Sequence, residues 1–302
     1  MDCYEKQFSY LSTGFFNRLY IGIEAMLCQA DVNHITGDVH FVALFLRKSR
    51  TVLTIHDIGV IQRLSPLSRW IFKWFWIVLP IKRSAVVTTI SQATRLELLK
   101  YTRADANKIK VIYNPVPSGF NKVLKPFNKL KPVILQIGTK ENKNIFRVIS
   151  ALKEIQCVFE IVGFVNEKIK NELINSGVEF KVYSNLTDEE MRERYKNSDV
   201  VILASTYEGF GLPILEANAT GRVVITSNIS SMPEVAGNAA ILVDPYDISS
   251  IREGILTVIS DDALRENLIT NGFENCKRFD ISVISRQYLD IYHSLYNQTR
   301  KE

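Results

Sequence analysis

Cysteine is scarce. The four thiols, Cys3, Cys28, Cys157 and Cys276, are far apart and show neither a paired disulfide spacing nor a CxxC knuckle. That excludes a disulfide-stapled scaffold and a zinc ribbon, and it fits a reducing cytoplasm. Long apolar runs are absent too: no stretch reaches the ~18 residues needed to cross a bilayer. The opening MDCYEKQFSYLSTGFF has neither the basic start nor the continuous apolar run of a signal peptide, so an integral membrane protein is not expected. A strong charge imbalance is also missing. The formal charge of +5 favours anionic partners such as nucleotide phosphates or an acidic lipid surface, but it is too small and dispersed for nucleic acid.

What is present is a chain of 302 residues, 46% hydrophobic and 23% charged, long enough for two domains at roughly 150 residues each. Short β-branched runs alternate with helical patterns, the mark of strand-helix-strand units and parallel sheets. In the first lobe the strands are expected at 32–36, 51–55, 85–90 and 109–112, in a doubly wound arrangement. A punctuated linker, Asn114-Pro115-Val116-Pro117-Ser118-Gly119, follows. The pattern then restarts at 133–137, 158–162, 178–183, 199–204, 222–226 and 240–243, which reads as a second Rossmann-like unit. The expected division is 1–118, 119–283 and a closing helix at 284–302, where Tyr288, Ile291, Tyr292 and Leu295 recur at helical spacing. Thr187 with Glu190, and Ser231 with Glu234, read as capping boxes. Asn144 reads as a helix cap and Asp261-Asp262 as a helix-start pair.

Open parallel sheets bind ligands beyond the carboxyl ends of their strands. There the strand at 199–204 runs into Ser205-Thr206-Tyr207-Glu208-Gly209-Phe210-Gly211-Leu212-Pro213, and a short helix stopped by Gly221 follows. Pro213 suits a first helical turn. The glycines let backbone approach a ligand, and a helix N-terminus offers free amides and a positive dipole end to phosphate oxygens. Glu208 and Glu216 are acceptor-only carboxylates, suited to sugar hydroxyls. Read blandly, they are helix-end acids that complement the dipole.

Two glutamates separated by seven residues around a GFGLP core resemble the donor motif of family-four retaining glycosyltransferases of GT-B fold. The likeness continues in Thr54-Ile55-His56-Asp57, Thr89-Ile90-Ser91, Val111-Ile112-Tyr113-Asn114-Pro115, Ser198-Asp199-Val200 and Met232-Pro233-Glu234-Val235-Ala236-Gly237. The resemblance implies an α/β protein of two Rossmann-like domains facing across a cleft. It implies transfer of a hexosyl group from a nucleoside diphosphate sugar to an acceptor hydroxyl, with retention, in polysaccharide, lipopolysaccharide or glycolipid synthesis. No cofactor and no metal are implied, the nucleotide sugar being substrate.

By the same resemblance Glu216 takes the ribose hydroxyls, Glu208 the donor sugar, and the amides of Gly209, Phe210, Gly211 and Leu212 hold sugar and phosphate. Gly138-Thr139-Lys140-Glu141-Asn142-Lys143-Asn144 resembles the phosphate loop, with Lys143 beside the leaving diphosphate. Thr139 stands where arginine is usual, and Lys140 is either its substitute or an exposed, solvated lysine. Gly163 and Tyr183 fall where the base sits, although each is also an ordinary turn or packing residue. His56 becomes a contact to donor sugar or phosphate; the local alternative is a His56–Asp57 turn. The catalytic set so implied is His56, Lys143 and Glu208.

Members of that family begin with a strand, a glycine loop and a helix, whereas Gly14 follows no strand-like run, so the first lobe is expected to be incomplete at its start. All three tryptophans, Trp70, Trp74 and Trp76, lie in one apolar stretch bracketed by Lys82 and Arg83. Burial and peripheral membrane contact, where a lipid-linked or saccharide acceptor is met, are its two readings. A non-catalytic nucleotide-sugar-binding subunit and a GT-B epimerase are the functional rivals.

Overall fold

The structure, a computed structural model, describes residues 3–300. It divides into two compact units, Met1–Tyr113 with Ser285–Glu302, and Asn114–Ile284.

The first unit opens with helix α1 (Phe15–Leu27) and strand β1 (Asn33–Ile35), then β2 (Thr51–Ile55), in which every residue is buried. Helix α2 (Pro66–Phe72) has proline in its first turn, runs through a π-wound turn at Lys73–Val78 and ends as α3 (Leu79–Arg83). Pro80 explains the irregularity. It has no amide hydrogen for the Trp76 carbonyl four residues back, and the buried His40 supplies a donor instead, Nδ1 to that oxygen at 3.0 Å. Strand β3 (Val86–Thr89), helix α4 (Gln92–Thr102) capped by Ser91, and β4 (Ile109–Val111) complete the run.

The four strands are parallel in the order β1-β2-β3-β4. This corrects the expected doubly wound first lobe: a sequential order has no reversal, and right-handed crossovers then all fall on one face. That face is the core, where Ile35, Leu53, Ile55 and Val87 meet Ile21 of α1, Ile77 and Leu98.

In the second unit, strands β5 (Val133–Ile137), β6 (Val158–Val162) and β7 (Glu179–Tyr183) alternate with α5 (Ile145–Leu152), α6 (Glu167–Ser176) and α7 (Asp188–Asn197). Then come β8 (Val200–Leu203), α8 (Leu212–Thr220), β9 (Val223–Ser227), α9 (Met232–Ala236), β10 (Ala240–Val243), α10 (Ile248–Ser260) and α11 (Asp262–Lys277). All six strands are parallel, in the order β10-β9-β8-β5-β6-β7. The winding reverses between β5 and β8, so the loops leaving those two strands diverge and open a crevice at their carboxyl ends. The Thr187–Glu190 capping box is complete, and Asp261 caps α11 by accepting from the Leu264 amide.

The last helix, α12 (Ile281–Thr299), belongs from Ser285 onward to the first unit. It meets the sheet face opposite the core. Tyr292 and His34 are hydrogen bonded at 2.6 Å, His34 and Thr54 at 2.7 Å, and Thr54 and Thr88 at 2.6 Å, a polar chain across three strands. Burial of the aromatic stretch is only half met. Ile77, Val78 and Pro80 are buried, but Leu67, Trp70, Ile71 and Phe75 are exposed. Trp76 is packed by Phe72, Phe41 and the Arg18 guanidinium.

Candidate active site

The site is assembled at the β5/β8 switch point of the second unit. The turn after β8 is held from three directions. Asn142 donates its side-chain amide to the Tyr207 carbonyl at 3.0 Å and accepts the Thr206 amide on its own carbonyl at 2.8 Å. Ser227 donates to the Ser205 carbonyl at 2.6 Å. Ser230 and Ser231 both donate to the Glu208 carbonyl, at 2.7 and 2.9 Å, and Ser231 also reaches the Phe210 carbonyl at 2.9 Å.

That last pattern corrects the second capping box. Ser231 makes no side-chain cap for α9, because its hydroxyl is committed to the 208–210 turn. Asn144 is corrected likewise. It occupies the cap position of α5 with a left-handed backbone, but its side chain caps nothing and instead donates to the carbonyls of Ala204 and Pro245. It ties the phosphate-type loop to the end of β8.

Glu208 projects from this turn and meets Lys143. Nζ to Oε1 is 2.7 Å, both side chains are largely buried, and Ser205 donates to the same oxygen at 2.7 Å. Gly138 makes room for the lysine. Its φ is +89°, and a Cβ there would stand 3.1 Å from the Lys143 stem. Gln136 fixes the loop by donating to the carbonyls of Gly138 and Lys143.

Gly211 begins α8 with φ +103°, and Pro213 lies in its first turn. The Phe210 ring is buried edge-on against Phe279, so only its backbone serves the crevice. On α8 one Glu216 oxygen accepts from the hydroxyl of Tyr195, which is fully buried on α7. Burial raises the Glu216 pKa, while the Tyr195 hydrogen bond and the nearby Lys143 charge pull it down.

The remaining candidates are placed as follows. Thr139 spends its hydroxyl on the Phe164 carbonyl and touches Gly163, whose φ is +148°. Tyr183 lies under the Arg194 guanidinium at 4.6 Å and donates to Glu160 at 3.2 Å, as a packed residue does. Lys140 is exposed beside the loop. His56 belongs to the first unit, where Nε2 meets the Thr36 carbonyl at 2.6 Å. Asp57 closes a local turn onto the Gly59 amide and does not pair with His56. The structure thus sets Gly138, Lys143 and Glu208 together, with Glu216 close enough to feel the Lys143 charge and Gly211 and Leu212 at the start of the helix that carries it.

Sequence reasoning missed Tyr195, Ser205, Asn142, Ser230 and Gln136. Only Asn142, inside the glycine-started loop, and Ser205, at the head of the segment after β8, carried a local signal. A separate cavity lies at the amino ends of β8 and β9, lined by Lys125, Asp199, Arg222 and Asp262, where Lys125 pairs with Asp199 and Lys129 with Asp262. Among the described residues no three His, Cys, Asp or Glu side chains converge as a metal cluster, and no helix is long and apolar enough to cross a membrane.

Two Rossmann-like sheets, one with carboxylates, a lysine and a helix terminus at its switch point, define the architecture of GT-B glycosyltransferases. The chain belongs to the glycosyl transferases group 1 family, which matches residues 120–275, and residues 6–119 match glycosyltransferase family 4. It is 27% identical over 272 residues to O-antigen chain mannosyltransferase B of Escherichia coli, covering 82% of this chain and 71% of that protein. It is 26% identical over 233 residues to an uncharacterized glycosyltransferase of Methanocaldococcus jannaschii, covering 69% of this chain and 60% of that one. Among solved structures, Anabaena Alr3699/HepE in complex with UDP and glucose superposes with a TM-score of 0.78 at 19% identity, covering 92% of this chain and 81% of that one.

Proposed function

We propose that this protein transfers a hexosyl group from a nucleoside diphosphate sugar to an acceptor hydroxyl, with retention and without a metal, in the synthesis of a polysaccharide, lipopolysaccharide or glycolipid. The observation that carries the reading is the Lys143–Glu208 pair beside Glu216 at the switch point. Relatives in O-antigen synthesis and a fold neighbour holding UDP and glucose support it. In this reading unit 2 holds the donor and unit 1 serves the acceptor, with His56 as its contribution.

The chemistry follows from the charges. Without ligand, Lys143 and Glu208 satisfy each other, since either alone in this half-buried place would be costly. An arriving diphosphate competes for the lysine through its greater negative charge. Lys143 turns to the phosphate, where charge grows as the sugar leaves, and the α8 N-terminus adds its free amides. Glu208, still held by Ser205, is released to accept from sugar hydroxyls, and Glu216 accepts from the ribose. Donor turnover by the purified chain with acceptor present tests this; nucleotide binding without any turnover would identify a binding subunit instead.

The acceptor side points to a membrane surface. Leu67, Trp70, Ile71 and Phe75 are exposed together, whereas Trp74 is half-buried and Trp76 packed, so Trp70 is the tryptophan that would meet lipid, at the inner membrane face. Residues 39–96 contain nine lysines and arginines and a single acid, Asp57, a balance suited to anionic headgroups.

A further inference from the structure

Tyr195 heads the fully buried side chains by volume among the described residues. Its ring is filled in by ordinary packing: Phe120 meets it edge-on at 5.2 Å and 89°. Phenylalanine would fill that space equally well, so volume does not explain the hydroxyl. A buried phenol needs a partner, and here the partner is Glu216, across from α7 to α8. The contact takes one carboxylate oxygen. The other, Oε1, has no hydrogen-bond partner among the described residues, on a residue that is only partly buried.

We infer that Tyr195 is a positioning residue of the nucleotide site: from behind α8 its hydroxyl anchors one oxygen of Glu216, so that the other is presented to the ribose hydroxyls of a nucleoside diphosphate. This rests on the donor reading above. Carboxylate side chains rotate freely, and a glutamate fixed at one oxygen loses fewer conformations when the ligand arrives. The anchor also sets charge. Burial favours the neutral acid, which has lost acceptor capacity, and the Tyr195 hydrogen bond opposes it.

The titratable groups around Glu216 are few. Lys143 faces it from the loop after β5 and is itself paired with Glu208. From α11, packed against α8, Cys276 contacts the Leu215 carbonyl and is pushed up to about 11 by burial, so it stays a neutral thiol. Glu234 is the acid of α9, which also packs on α8. On α7, Arg192 pairs with Glu189, Lys196 with Glu193 and Arg194 with Glu160, Glu190 closes the Thr187 capping box, and Asp188 is exposed in the first turn.

The test is calorimetric titration of the full chain with uridine, guanosine and adenosine diphosphates across pH 5 to 8, together with donor KM and kcat. With the nucleotide that binds, Tyr195→Phe is expected to weaken affinity about 10-fold at neutral pH, the loss of one hydrogen bond to a charged group. The loss should grow as pH falls, and donor KM should move more than kcat. In a Glu216→Gln background the same change should add little. Wild-type affinity and pH profile in Tyr195→Phe would overturn the inference. So would a pH-independent loss of affinity and turnover that merely follows a lowered melting temperature. If wild type binds none of the three nucleotides, the donor reading fails and this inference falls with it; binding by wild type with no effect of the hydroxyl sinks this inference alone.

Discussion

Lys143 and Glu208, 65 residues apart in sequence, lie 2.7 Å apart at the meeting of two loops that leave adjacent strands in opposite directions. The pair joins the two halves of the switch point. It also makes each residue's contribution separable by experiment.

Replacing Lys143 with Ala should lower turnover by ~100-fold or more, as when one preorganised donor to developing charge is removed. It also strands Glu208, so the melting temperature should fall. Lys143→Met combined with Glu208→Gln should recover much of the stability and none of the turnover. Recovery of turnover in the double variant would remove Lys143 from the chemistry.

Ser231→Ala tests the corrected assignment. Its hydroxyl braces the carbonyls of Glu208 and Phe210, so donor KM should rise by roughly 3- to 10-fold with little change in the stability of the fold. An ordinary helix cap would show the converse, reduced stability with unchanged KM.

Acid should weaken the first unit through His34. Burial pushes its pKa down to about 4 from an ordinary 6.5. A base whose folded pKa lies below its unfolded value binds more protons when unfolded. Its neutral state therefore costs nothing above pH 6.5, and stability falls as pH drops from 6.5 towards 4. The loss is ~2–3 kcal/mol for such a shift. Melting temperatures between pH 7.5 and 4.5 should show this slope, and His34→Gln should remove much of it. His40, whose pKa burial also lowers, adds in the same direction.

Vesicles of mixed zwitterionic and anionic lipid should sediment with the protein, and purely zwitterionic ones should not. Trp70→Ser with Phe75→Ser should weaken that association roughly 10-fold, and molar salt should weaken it further. Equal binding by the double variant would remove this surface from the account.

The strands were legible because β-branched runs such as Val133 to Ile137 are short, bounded and almost wholly apolar, and the glycine-proline turn at Gly211 and Pro213 marked its own helix start. Local patterns fixed the position of caps better than their chemistry. Ser231 and Asn144 sit where caps sit, yet the loops that tertiary packing brings against them compete for their side chains and win. Strand order was not legible in the first unit, since pairing is a non-local property that alternation alone leaves open. Tyr195 was hidden for the same reason: inside α7 it reads as one more core aromatic, and its meaning lies in a carboxylate on another helix.

The most direct measurement is calorimetric titration of wild type, Lys143→Ala and Glu216→Gln with the three nucleoside diphosphates. The account predicts that wild type binds one of them at a single site and that each variant, though folded, binds it at least about 10-fold more weakly. Undiminished binding by both variants, or no binding by wild type, would contradict it.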